Sequence, residues 1–205
     1  MLKDSDIREP LFDYLEETFG KVRILEEKVT GRSRADVVMI TEDAVTGLEI
    51  KSDADSYTRL AGQVRDYSRC YDFNYAVVGS RHAMHILEHL PEWWGAITVD
   101  EEDGWPDFYL LRRARRNPEP VLAQKLRLLW KDELAEILLS NRLPAYTSKN
   151  KNYQRAVLLD RVPESRLNRD ISERLFERDY TVFSVKPDPL SLALRPKKRR
   201  RKRRL

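Results

Sequence analysis

The sequence predicts a mixed α/β fold, or an α+β sandwich, built around one sheet, and three observations carry that expectation. Helical and strand-like periods are mixed along the chain, so sheet and helices share one core. The apolar runs Arg34-Ala35-Asp36-Val37-Val38-Met39-Ile40 and Leu48-Glu49-Ile50-Lys51 flank a turn region from Glu42-Asp43 to Thr46-Gly47, which is a hairpin pattern. Phe73 to Gly79 is a compact apolar run suited to a buried central strand.

The elements follow in order. Ile7, Leu11, Tyr14, Leu15 and Thr18 recur at helical spacing, and Gly20 ends that helix. Lys21 to Val29 reads as a strand, followed by the two hairpin strands. A helix from Tyr57 to Tyr71 carries Leu60, Val64, Tyr67 and Tyr71 as an apolar stripe. After the 73–79 strand come a short helix from Arg81 to Leu90 and strands at Ala96–Val99 and Asp107–Leu111, joined by Glu101-Glu102-Asp103-Gly104. Pro118 and Pro120 mark the junction to a helical region. There Val121–Leu139 reads as one helix docked on the sheet, and Glu164–Asp179 reads as the last. Trp93 and Trp94 read as core or sheet-edge residues.

The chemistry is concentrated in the hairpin. Glu49 lies thirteen positions after Asp36, and alternation along the strand sends Glu49 and Lys51 to one face and Ile50 to the other. One face is then charged and the other apolar. With Asp36 on the neighbouring strand, two carboxylates and an ammonium converge. Mg²⁺ commonly takes one or two protein carboxylates together with water and phosphate oxygens, which suits Asp36 and Glu49. Lys51 would activate the attacking water or offset charge developing on the phosphate. A second Glu-x-Lys, Glu26-Glu27-Lys28, lies among charges and reads as a solvated strand edge. Asp53 and Asp55 read as loop and cap residues ahead of Ser56. His82, His85 and His89 share a helical face, but zinc normally wants four ligands, and no Cys or fourth His stands nearby.

On these residues the chain resembles the PD-(D/E)XK nuclease superfamily, with Ala35 in place of the motif's proline. The likeness covers roughly residues 5 to 140. It is nearest to a bacterial branch with a Glu-Ile-Lys-Ser-Asp strand end (Glu49 to Asp53), a Gln-containing helix ending in Tyr-Ser-Arg (Gln63 to Arg69) and a Pro-Glu-Trp-Trp-Gly stretch (Pro91 to Gly95). The resemblance implies a restriction-endonuclease-like αβββαβ core with a mixed central sheet. It also implies Mg²⁺, with Mn²⁺ as a substitute, held by Asp36 and Glu49. Glu9 would be an auxiliary ligand or water-orienting carboxylate, and Gln63 would position water or backbone. Helix rules alone account equally for Glu9 as a complement to the first-turn dipole, and for Gln63 as a residue bordering the core.

Composition bounds the rest. At 205 residues with 41% hydrophobic content, the chain is long enough for a real core. The single Cys70 excludes an internal disulfide and reads as a buried reduced thiol, which fits the cytoplasm. No apolar run is long enough to span a membrane, and the charged start has no signal-peptide character. The formal charge of +4 conceals a division. Arg195 with Lys197, Lys198, Arg199, Arg200, Arg201, Lys202, Arg203 and Arg204 contributes nine positive charges, leaving −5 for residues 1–194. The sequence therefore divides into a nuclease-like core (1–117), a helical region (118–183) and a disordered basic tail (184–205).

The tail's expected partner is a phosphate backbone. Nine contacts to duplex DNA would give a log–log salt dependence of order −8. An import-like signal, an anionic membrane or ribosome contact and a solvated tail remain alternatives. In the helical region, two short helices joined by an extended loop, with Lys149, Lys151 and Arg155 near the start of the second, resemble the SAP type of DNA-binding motif; an ordinary solvated face is the alternative. The expected activity is metal-dependent hydrolysis of DNA. The alternatives are a non-catalytic nuclease-fold scaffold that binds nucleic acid or a protein partner, and a structural or regulatory protein whose tail touches RNA. Endo- versus exonucleolytic polarity, DNA structure preference and oligomeric state, a homodimer included, stay open.

Overall fold

The computed structural model describes residues 2–30, 33–118 and 120–178. The basic run at 195–204, and with it the expectation of a disordered DNA-contacting tail, lies outside the described residues.

The first helix, α1 (Asp4–Phe19), starts where the Asp6 carboxylate accepts the Lys3 N–H at 2.9 Å and ends at Gly20, whose φ of 78° suits a residue without a side chain. Six strands follow: β1 (Arg23–Thr30), β2 (Ser33–Ile40), β3 (Val45–Lys51), β4 (Phe73–Gly79), β5 (Gly95–Glu102) and β6 (Trp105–Arg112). They form one sheet in sequential order. β1, β2 and β3 pair antiparallel, β3, β4 and β5 parallel, and β5 and β6 antiparallel. The α/β class with a mixed central sheet is therefore as expected, and the elements from α1 to β4 run in the αβββαβ order.

The two parallel connections carry α2 (Leu60–Ser68) and α3 (Ser80–Ala83). Parallel crossovers keep one hand, so a sheet that grows in one direction places both on one face. Leu60, Tyr67, Ile86, Leu90 and Trp94 pack there, in the same hydrophobic cluster as Leu134, Leu158, Leu167 and Ile171 of the C-terminal helices. The other face is covered by Ile7, Leu11 and Leu15 of α1. With both faces covered, every residue of β3 is buried, which corrects the expected open charged face: Glu49 and Lys51 lie beneath α2.

Gly47 is required by that packing. A Cβ there would stand 2.3 Å from Cδ2 of the fully buried Tyr71 ring, while the backbone is held between Val38 and Asn74. Gly47→Ala is expected to destabilise the fold by about 1–3 kcal/mol through overpacking. Urea unfolding checks this, and an unchanged midpoint would refute it.

The helical region departs from the single helix expected over 121–139. The chain instead forms α4 (Leu122–Lys125), a 3₁₀ turn (Leu126–Leu128) and α5 (Lys131–Ser140), with Leu129 extended at φ −84°, ψ 147°. The break is built by Glu133, which reaches back to the Trp130 N–H and is gripped at 2.6 and 2.7 Å by the Arg178 guanidinium. That guanidinium also stands 4.1 Å from the Trp130 ring centroid. Satisfying these buried groups outweighs continuing the helix. An extended connection (141–150) leads to α6 (Lys151–Arg161), where the Asn150 side chain accepts the Tyr153 N–H at 2.9 Å, and α7 (Glu164–Phe176) follows.

The three histidines do not share a helical face, because α3 ends at Ala83 and Ile86–His89 is a 3₁₀ turn. Tyr57 packs between His82 and His89, at ring distances of 4.8 and 4.4 Å. Trp94 is a core residue with no exposure, stacked on Tyr67. No helix among the described residues is long and apolar enough to cross a membrane.

Candidate active site

The β2–β3 ladder runs from the Ile40–Val45 pair to the Val37–Leu48 pair and stops short of Asp36. At that point the Ile50 N–H donates to the Asp36 carboxylate at 2.9 Å instead of to a strand carbonyl. The separation of the strands opens a groove of about 1100 Å³ between α1, α2, the ends of β2 and β3, and the start of the helical region. Asp36, Glu49, Lys51 and Gln63 all line it, so the structure brings four of the five expected core site residues together.

Glu49 is 1% exposed and Lys51 3%. Glu49 Oε1 accepts from both Lys51 Nζ and Gln63 Nε2, and Oε2 accepts from the Tyr67 hydroxyl. Burial, then the charges of Glu49 and Asp36, push the Tyr67 phenol well above its ordinary range, so it stays a donor. The side chain of Gln63 is itself buried, and its Oε1 has no partner. An orphaned buried acceptor on the groove wall is what a missing water or ligand donor leaves behind.

Asp36 is half-buried. Its pKa is pushed up to about 6, first by burial and then by the charge of Glu49, against the lowering effect of the Ile50 N–H and Lys51. A carboxyl group whose folded pKa lies above its unfolded value favours folding below the unfolded pKa, and that contribution is lost as pH rises through about 6. Asp36→Asn mimics the protonated form. It is expected to stabilise the protein by up to about 3 kcal/mol above pH 6, from a shift of about two pK units, and to be neutral near pH 4. Thermal melts across that range check this; equal effects at both ends would refute it.

Glu9 is a correction: it is exposed and does not line the groove. α1 buries Ile7, Leu11 and Leu15, and at about 100° per residue Glu9 lies about 200° round from Ile7, on the outer side. Asp4 and Arg8, one turn apart beside the buried stripe, face the groove instead. Arg8 Nε bonds Asp4 at 2.7 Å, Nη1 donates to the Asp36 carbonyl at 3.3 Å, and Nη2 stands 3.6 Å from Asp36 Oδ1. Asp4, Arg8 and Tyr67 are site residues that the sequence motifs do not single out. The signals were their spacings: Asp4 and Arg8 flank Ile7, and Tyr67 follows Gln63 by four residues. Asp53 and Asp55 lie in the loop ahead of Ser56 but do not cap the helix that follows it: Asp53 accepts the Arg81 N–H at the start of α3 and Asp55 the Ser52 N–H.

Among the described residues, no group of three or more His, Cys, Asp and Glu side chains could hold a metal, so the three-acid set with Glu9 is not formed. The Asp36–Glu49 pair still suits a hard dication. Lone pairs remain on Asp36 and on Glu49 Oε2, their mutual repulsion raises the Asp36 pKa, and Mg²⁺ needs only one or two protein carboxylates.

A family model described as bacteriophage P4 protein cII matches residues 2–186. The chain belongs to the bacteriophage P4 cII protein family. No curated protein and no solved structure matches it. The cII match takes in both the sheet that carries the groove and the helices of the C-terminal region.

Proposed function

We propose that the protein is a metal-dependent DNA nuclease resembling the PD-(D/E)XK superfamily. The observation that carries this reading is the convergence of Asp36, Glu49, Lys51 and Gln63 on one open groove from two strands and a helix. Asp36 and Glu49 would hold Mg²⁺ or Mn²⁺, which supplies Lewis acidity toward a phosphoryl oxygen and makes water a stronger acid. The remaining chemistry belongs to the chain. Lys51 Nζ, fixed by Glu49, offsets charge developing on the phosphate. Gln63 Oε1, an acceptor without a donor, takes a hydrogen bond from the attacking water and orients it. Tyr67 holds Glu49 in place from the α2 side. The basic tail raises the local DNA concentration, and the buried free thiol of Cys70 fits a reducing cytoplasm.

One observation favours a non-catalytic scaffold: Glu49 and Lys51 are buried and paired with each other. Incubating the purified full chain with linear, nicked, branched and single-stranded DNA in Mg²⁺ or Mn²⁺ separates the readings. Metal-dependent cutting of any of them supports the nuclease. Binding without cutting supports the scaffold.

A further inference from the structure

The groove's cations fall into two sets. Arg8, Lys51 and Arg34 are partnered, Arg8 by Asp4 and Lys51 by Glu49. Arg59, Arg65, Arg69 and Arg127 also line the groove, are exposed, and have no ion-pair partner among the described residues. Asp66, the acid on the same side of α2, is held by Ser33 Oγ at 2.7 Å. Unpaired like charges gathered along one wall repel each other and ask for a polyanion. Their spacing suits one strand: Arg59 to Arg69 spans about 15 Å at about 1.5 Å per residue, a length that reaches several backbone phosphates. Arg127 enters from the 3₁₀ turn after α4, so the helical region supplies part of the wall.

Gly62 lies among these arginines, in the first turn of α2 and on the groove lining. Glycine is a poorer helix residue than alanine. Nothing among the described residues requires it, because a Cβ there would meet only Arg65 Nη2 at 3.9 Å, an ordinary contact, and its φ is not positive. A residue with no side chain lets a ligand's backbone approach the helix closely.

We propose that α2 forms a phosphate-tracking wall, in which Arg59, Arg65, Arg69 and Arg127 take successive phosphates of one DNA strand and Gly62 lets that strand's backbone close on the helix. This deepens the nuclease reading and rests on it for the identity of the polymer. Guanidinium forks match phosphate oxygens two at a time, so the wall both binds the strand and sets its register toward Asp36 and Lys51.

The test is fluorescence anisotropy of labelled single-stranded and duplex oligonucleotides with the full chain in EDTA, across roughly 50 to 200 mM salt. Replacing Arg59, Arg65, Arg69 and Arg127 together with Gln is expected to weaken binding at least tenfold, and to flatten the log–log salt slope by about 3, from roughly 0.7–0.9 ions per contact. Lysine at the four positions restores the slope. Arg113→Gln, at an exposed position outside the groove, changes neither. Gly62→Ala is expected to raise Tm by about 2–4 °C and weaken binding several-fold. Unchanged affinity and slope in a folded four-Gln variant would overturn the wall, and a Gly62→Ala protein that melts higher but binds normally would overturn the role of Gly62. Because no metal is present, the outcomes separate. Arginine-dependent binding without metal-dependent cutting keeps the wall and discards the hydrolase. Cutting by the unaltered protein with arginine-independent binding does the reverse.

Discussion

Lys51→Met is expected to lower metal-dependent DNA cutting by about 100- to 1000-fold, the loss typical when one preorganised charge-stabilising donor is removed from a dry site. The lysine is 3% exposed and bonded to Glu49, which is 1% exposed, so the substitution also leaves a buried carboxylate without its cation. Breaking one half of a buried pair costs about 3–5 kcal/mol, and lost activity alone could then be lost folding. The double variant Glu49→Gln, Lys51→Met resolves this. It removes both charges while Gln63 and Tyr67 stay near a side chain of the same length, so the expected protein melts close to the unaltered one and does not cut. Cutting at the normal rate by either variant would end the assignment of Lys51 to the chemistry.

An equally large loss of stability is expected away from the groove. Asp72 and Lys125 are both fully buried and bonded to each other. Asp72 Oδ2 also accepts the Val45 N–H at 2.8 Å, while Lys125 Nζ reaches Asn168 Oδ1 at 2.7 Å and Ser172 Oγ at 3.4 Å. All three ammonium protons are used, and the cluster ties the start of β3 to α4 and α7. Lys125→Ala is expected to destabilise the protein by about 3–5 kcal/mol, because the buried Asp72 charge keeps only the exposed Arg116, 3.7 Å from Oδ1, as a counter-ion. For a chain of this size that lowers Tm by roughly 10 °C. Asp72→Asn combined with Lys125→Met should recover most of the loss, since a neutral pair of similar volume carries no stranded charge. A single variant that melts normally would show that the pair contributes nothing.

Much of the sheet and part of the site were legible in the residues. Phe73–Gly79 was read at its observed limits, and the hairpin joining Asp36 to Glu49 followed from two apolar runs around a turn. These are local or period-two signals, and alternation carries them directly into structure. Gln63 was legible only through the family resemblance, since helical periodicity alone accounts for it equally as a residue bordering the core.

Structure departs from local sequence pattern where a distant residue decides the outcome. Val121–Leu139 has a continuous apolar stripe, yet Arg178, 45 positions beyond Glu133, holds the carboxylate that caps α5 at Trp130 and so splits the helix. Glu9 has the right chemistry one residue from the right face, and only the docking of Ile7 on the sheet reveals that Asp4 and Arg8 look inward.

By itself, then, the sequence determined the strands, the αβββαβ order and the grouping of Asp36, Glu49 and Lys51, because strand alternation and turn chemistry act over a few residues. Tertiary structure decided that Asp4 and Arg8, not Glu9, face the groove, that Glu49 and Lys51 are roofed by α2, and that four arginines from two regions line one groove. Burial and charge proximity depend on which surfaces meet, and neighbouring residues along the chain do not encode that meeting.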